Sequence, residues 1–129
     1  KDVQTVRAFV EADQYPGPSL IIAYSHCIAH GYDLALGLEQ QKLAVDTGYW
    51  PLYRFDPRRM QNGESPLVLD SPAPKVDLGK YMSNEARFRV VEQMNRDRYK
   101  TLLANAQREV ATRFSIYEQL SKLAVPVQK

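Results

Sequence analysis

The residues of this chain best suited to chemistry stand together in Ser25-His26-Cys27-Ile28-Ala29-His30-Gly31. Cys27 is the chain's single cysteine, and His26 and His30 are its two histidines. A thiolate is a soft ligand for iron or zinc and a strong nucleophile. One thiolate alone holds neither an iron–sulfur cluster nor a structural zinc. Three readings follow: Cys27 is an inert packing residue; it is one ligand of a set completed by other sequence; or His26, Cys27 and His30 bind zinc in a small independent protein. The His-Cys-x-x-His spacing is not that of a common structural zinc site, and no fourth ligand stands out. A Cys/His nucleophilic pair lacks a recognisable third orienting residue. Each histidine is expected to hydrogen-bond locally.

The elements that must position Cys27 read as half of a βαβ unit. Residues 3–13 carry Val3, Val6, Phe9 and Val10 on one helical stripe. Tyr15-Pro16-Gly17-Pro18 is turn chemistry. The branched run at 19–24 reads as a buried strand with Cys27 just past its end, where open α/β sheets collect ligands. One strand cannot make a parallel layer, since its backbone groups lack partners. That, and a start at Lys1 rather than Met, leads us to expect a piece of a longer protein whose neighbouring strands precede residue 1.

Helical spacing resumes between Ile28 and Thr47, weakened by Gly31 and Gly37 and stopped at Gly48. Leu52–Phe55 and Pro66–Leu69, with Asn62-Gly63 as a turn signal between them, read as a β-hairpin; Arg54, Arg58 and Arg59 could meet a phosphate or an acidic protein surface, with a solvated tip as the default reading. An extended connector then runs from Asp70 to Leu78. Ser83 is expected to cap a helix to about Gln93. Asn95 should cap a longer one to about Leu123, with Leu102, Leu103, Ala106, Val110, Phe114 and Tyr117 inward and Pro126 beyond its end. The fold class is thus α/β: a partial layer of helix, strand and helix, then a β-hairpin and a helical tail.

Composition narrows the function. The 129 residues carry 17 basic and 15 acidic side chains, a net charge of +2 without a local basic patch, so nucleic acid is not an expected partner. A lone cysteine excludes an internal disulfide framework and fits a reducing, cytoplasmic compartment. No apolar run approaches the ~20 residues of a membrane span. There is no glycine-rich phosphate loop, no Cys-x-x-Cys, and no Gly-Asp-Gly with a downstream Asn to hold a magnesium diphosphate.

Two blocks, Tyr15–Gly31 and Glu39–Pro57, resemble the carboxyl-terminal region of the pyruvate:ferredoxin (flavodoxin) oxidoreductases. Ser-His-Cys-Ile-Ala-His-Gly and Gly-Tyr-Trp-Pro-Leu-Tyr-Arg-Phe-Asp-Pro are long enough to be specific, and a weaker likeness continues through Asn84-Glu85-Ala86-Arg87-Phe88 and the final helices. The likeness is to the flavodoxin-reducing variety that serves nitrogen fixation. The resemblance implies oxidative decarboxylation of pyruvate with CoA to acetyl-CoA and CO2. Thiamine diphosphate with Mg would supply the carbanion chemistry, and [4Fe–4S] clusters would pass electrons to ferredoxin or flavodoxin. It implies that residues 1–48 end the thiamine-binding domain and that 49–129 form a hairpin and helical extension. By resemblance, Cys27 is the last of four cysteines on the cluster nearest the thiamine, its one cofactor- and metal-binding residue. No residue is implied as catalytic. The full-length enzyme would be a homodimer; this piece alone would be inactive and hold no cofactor firmly. A rival expectation gives it a purely structural role, packing on other domains or a second subunit of a related 2-oxoacid oxidoreductase.

Overall fold

The computed structural model describes residues 2–124 and 126. Helix α1 (Asp2–Asp13) leads through an irregular stretch to two 3-10 turns, Ile28–His30 and Leu34–Leu36, and then to α2 (Gly37–Asp46). Strands β1 (Tyr53–Phe55) and β2 (Leu67–Leu69) form an antiparallel pair in the register Tyr53–Leu69, Arg54–Val68, Phe55–Leu67. Helices α3 (Leu78–Ser83), α4 (Ala86–Met94) and α5 (Arg96–Ser121) complete the chain. The mixed helix-and-hairpin architecture with a helical tail is as the sequence implies. Lys1, residue 125 and residues 127–129, at the outer ends of the two expected units, lie outside the described residues.

The core lies where α2, α3, α4 and α5 meet. Ala44, Leu78, Tyr81, Met82, Tyr99 and Val110 are buried there, flanked by Tyr24, Tyr49, Trp50 and Phe88. Helix α5 enters this core through Tyr99, Leu103, Ala106 and Val110, and the same face continues to Phe114 and to Tyr117, which packs on Tyr53 of the hairpin. Leu102 was expected inward but stands exposed, one position off that stripe. Asn95 caps α5, its side chain accepting from the Arg98 amide at 2.9 Å. Ser83 does not start the preceding helix. Asp77 caps α3 by accepting from the Gly79 amide, and Ser83 is the last residue of α3, with Asn84 and Glu85 between it and α4.

The expected strand at 19–24 is not one. Residues 18–27 carry no helix or strand, and no backbone–backbone hydrogen bond joins residues 16–26 to another segment among the described residues. Leu20 is 84% exposed and Ile22 is 66% exposed. A strand exists only against another that takes its backbone groups, and among the described residues none pairs with 19–24.

Helix α1 turns its apolar stripe outward. Its half-buried side holds Gln4, Ala8, Glu11 and Ala12, while Val3, Val6, Phe9 and Val10 face outward, Val6 at 62% exposure. Polar contacts set that orientation. Gln4 donates to Asp70, Glu11 pairs with Arg54, and Arg58 reaches the Gln14 carbonyl and covers the Tyr15 ring. The arginines of the hairpin are therefore not a solvated set. Arg54 has a mostly buried side chain and forms a two-pronged bond to Asp70 at 2.8 and 2.9 Å. Arg58 is bound to Asp56, and Arg59 pairs with Glu64 while donating to the Ser65 carbonyl.

Candidate functional site

Cys27 is free and exposed. Its backbone is extended (φ −144°, ψ 142°), and it caps the 3-10 turn Ile28–His30, its carbonyl accepting from the His30 amide at 3.0 Å. An extended residue leading into a short turn leaves the thiol outward, clear of the core.

The two histidines go elsewhere. The His26 ring lies over the backbone of Gly37, where a Cβ would meet it at 3.1 Å. His30 turns inward, its ring stacking 6.2 Å from Tyr24 and its Nδ1 facing Glu85 Oε1 at 3.8 Å. That separation is too long for a hydrogen bond, and the buried His30 Nδ1 has no other hydrogen-bond partner. So the expected local hydrogen bond of His30 is replaced by a contact with a distant carboxylate. His26, Cys27 and His30 are not gathered into a ligand set. Among the described residues, no group of three His, Cys, Asp or Glu side chains could hold a metal ion. The zinc reading loses its geometry.

Glu85 is the residue that sequence reasoning missed. It is 1% exposed and precedes α4 directly. Its carboxylate accepts from Gln40 Nε2 at 2.9 Å and from Arg87 Nε. Gln40 also donates to the Tyr81 carbonyl, and its own carbonyl accepts from Asn84. Arg87 reaches the hydroxyls of Tyr24 (3.3 Å) and Tyr81 (3.2 Å), which bond each other at 2.7 Å. Burial, the Tyr24 hydrogen bond and the Glu85 charge all push the Tyr81 phenol well above its ordinary value. Burial works against the charge of Arg87, yet Glu85 outweighs it and holds the guanidinium above its usual range. Burial, then Glu85, pushes the Tyr32 phenol up. Such a network is satisfied only when every member is in place.

No family model matches the chain. Curated proteins do. It is 56% identical over 123 residues, 95% of its length, to a pyruvate-flavodoxin oxidoreductase of Rhodospirillum rubrum. It is 47% identical over 121 residues to one of Trichormus variabilis. Over nearly its whole length the chain is therefore similar to one segment of the pyruvate-flavodoxin oxidoreductases. A pyruvate:ferredoxin oxidoreductase of Moorella thermoacetica matches it at 35% over 119 residues, so the likeness extends beyond the proteins named for flavodoxin. In each case the match covers about 10% of the relative, so the chain spans about a tenth of the length of the pyruvate-flavodoxin oxidoreductases it resembles. No helix among the described residues is long and apolar enough to cross a membrane.

Proposed function

We propose that this chain is the part of a pyruvate-flavodoxin oxidoreductase that supplies one thiolate to a [4Fe–4S] cluster and braces the turn that carries it. The whole enzyme would convert pyruvate and CoA to acetyl-CoA, CO2, a proton and two electrons. Ferredoxin or flavodoxin would accept the electrons one at a time. The observation that carries the reading is the 56% identity to a relative of that name over 95% of the chain. The donor chemistry fits. A single exposed thiol, with no other ligand gathered beside it among the described residues, suits one corner of a cage completed by other sequence.

The cluster, when bound, supplies one-electron transfer. This chain's own residues hold Cys27 exposed at the start of its turn; in the assembled enzyme Cys27 would ligate the cluster, and backbone amides of His26, Ile28 and Ala29 would be the nearby groups able to tune its potential. Thiamine diphosphate with Mg belongs to the same reading, and no residue of this chain is assigned to it. The division at residue 48, a homodimeric enzyme, cytoplasmic residence, a service to nitrogen fixation and the inactivity of the isolated piece go with it.

The test is Cys27→Ala in the full-length enzyme, with EPR spectroscopy of the reduced protein. One [4Fe–4S] signal should be lost or converted. An undiminished set of signals refutes the ligand role.

A packing role stands beside this one, and helix α1 favours it. A helix that half-buries Gln4 and Glu11 while exposing Val3, Val6 and Val10 has an apolar face suited to cover by other protein. The exposed Leu20 and Ile22 follow it directly. The remaining nine-tenths of a family member's length is the natural source of that cover.

A further inference from the structure

Cys27 is exposed, yet the chain on both sides of it is gripped by one short segment, residues 81–89. Upstream, Tyr24 is bonded through its hydroxyl to Tyr81 and Arg87. Downstream, the Gly31 carbonyl accepts from the Ala86 amide at 2.9 Å, and His30 faces the Glu85 carboxylate. Gly31 has φ +72°, the left-handed conformation that brings its backbone onto α4 so closely that a Cβ would stand 2.5 Å from the Ala86 Cβ. Glu85 joins the two grips. One carboxylate oxygen takes Gln40 from α2 and faces His30; the other takes Arg87, which reaches back to Tyr24.

A surface cysteine needs none of this. An exposed turn of a few residues has many accessible conformations, whereas a buried carboxylate left without partners costs several kcal/mol. Glu85 therefore ties the backbone upstream of Cys27, by way of Arg87 and Tyr24, to the geometry that satisfies its own hydrogen bonds, and downstream its carboxylate faces His30 beside the Ala86–Gly31 bond. We propose that Glu85, acting through Arg87 and His30, is a positioning residue for the Cys27 sulfur, so that the helical tail sets the orientation of a ligand it never touches. The proposal rests on the reading of Cys27 as a cluster ligand.

The test uses the full-length enzyme with Glu85→Ala, Glu85→Gln, Cys27→Ala and, as a control for general destabilisation, Tyr117→Ala at the far end of α5. EPR line shape and midpoint potential of the clusters are read. Glu85→Ala should shift the g-values and midpoint of the same signal that Cys27→Ala abolishes. Glu85→Gln, which keeps an acceptor for Arg87, should shift them less. Tyr117→Ala should leave both unchanged. If Cys27→Ala removes a signal and Glu85→Ala leaves it at wild-type g-values and potential, the positioning role is refuted while the ligand role stands. If Cys27→Ala alters nothing, the ligand role falls and the proposal falls with it. Should Glu85→Ala not fold, the Gln variant decides: an unshifted signal overturns the proposal, and a shift without any change in Tyr117→Ala supports it.

Discussion

Replacing Gly31 with alanine tests the contact between the Cys27 turn and α4 directly. At φ +72° an L residue is strained by about 1–2 kcal/mol. The new Cβ would also meet the Ala86 Cβ at 2.5 Å, where carbon atoms rest at about 3.5–4.0 Å. Both atoms belong to the backbone frame, so turn and helix must part by about 1 Å, and overpacking of that kind costs about 1–3 kcal/mol. The sum is about 2–5 kcal/mol. Since ~1.4 kcal/mol is a factor of ten, opening of the Gly31–Ala86 hydrogen bond should become roughly 30-fold to several thousandfold more frequent. Hydrogen exchange read by mass spectrometry on peptides covering residues 28–33 and 84–90 of the full-length protein measures it. Ala86→Gly removes the opposing Cβ, so the double variant should retain the dihedral strain and recover the steric part, a favourable coupling of about 1–3 kcal/mol. Wild-type exchange in Gly31→Ala, or strict additivity in the double variant, would show that the turn does not rest on α4.

Three further outcomes are expected. Burial alone would raise Asp70, but its hydrogen bonds from Arg54 and Gln4 outweigh it and hold the carboxyl below the usual range. That pair stabilises above the unfolded carboxylate value near ~3.9 and is lost as pH falls through the lower folded value. In Arg54→Met the Gln4 bond and the Arg7 charge alone oppose burial, so Asp70 rises from its wild-type value and its contribution to the stability slope at acid pH shrinks. Urea midpoints measured across acid pH check it. Val6→Asp should change the stability of the 129-residue chain by no more than about 0.5 kcal/mol, as at other exposed sites, yet destabilise the full-length enzyme by about 2 kcal/mol or more. Equal thermal shifts in both would mean that nothing covers α1. Tyr81→Phe removes one partner of Tyr24 and Arg87 inside the core and should cost about 1–3 kcal/mol by denaturant titration; a midpoint unchanged from wild type would refute the bonding role of that hydroxyl.

The hairpin was legible because prolines bracket its strands and Asn62-Gly63 marks a turn, although the connection proved to be a 3-10 segment, Pro57–Asn62, capped by Asp56. Helix α5 was legible from its spacing and from Asn95. The run at 19–24 misled in detail, because leucine and isoleucine report that a surface is to be buried without saying by what. The apolar stripe of helix α1 is likewise real, yet it faces outward among the described residues. Arg54 read as solvated because its two acids stand 16 and 43 residues away. Glu85 left no local signal either. Its partners come from Gln40, His30 and Arg87, and only the closing of α2 and α4 over the Cys27 turn makes its burial intelligible.

Helix α5 reaches across all of this. Its 26 residues run about 39 Å at 1.5 Å per residue. Gln107 takes hold of Asp77 at the start of α3, Arg113 bonds the carbonyls of Gly48 and Tyr49, and the Leu120 carbonyl receives the Ser65 hydroxyl beside the hairpin. A rod fastened at three stations cannot fray station by station without losing the next. Melting of this region should therefore proceed in a single cooperative step, with Trp50 fluorescence and helical circular dichroism falling along one curve.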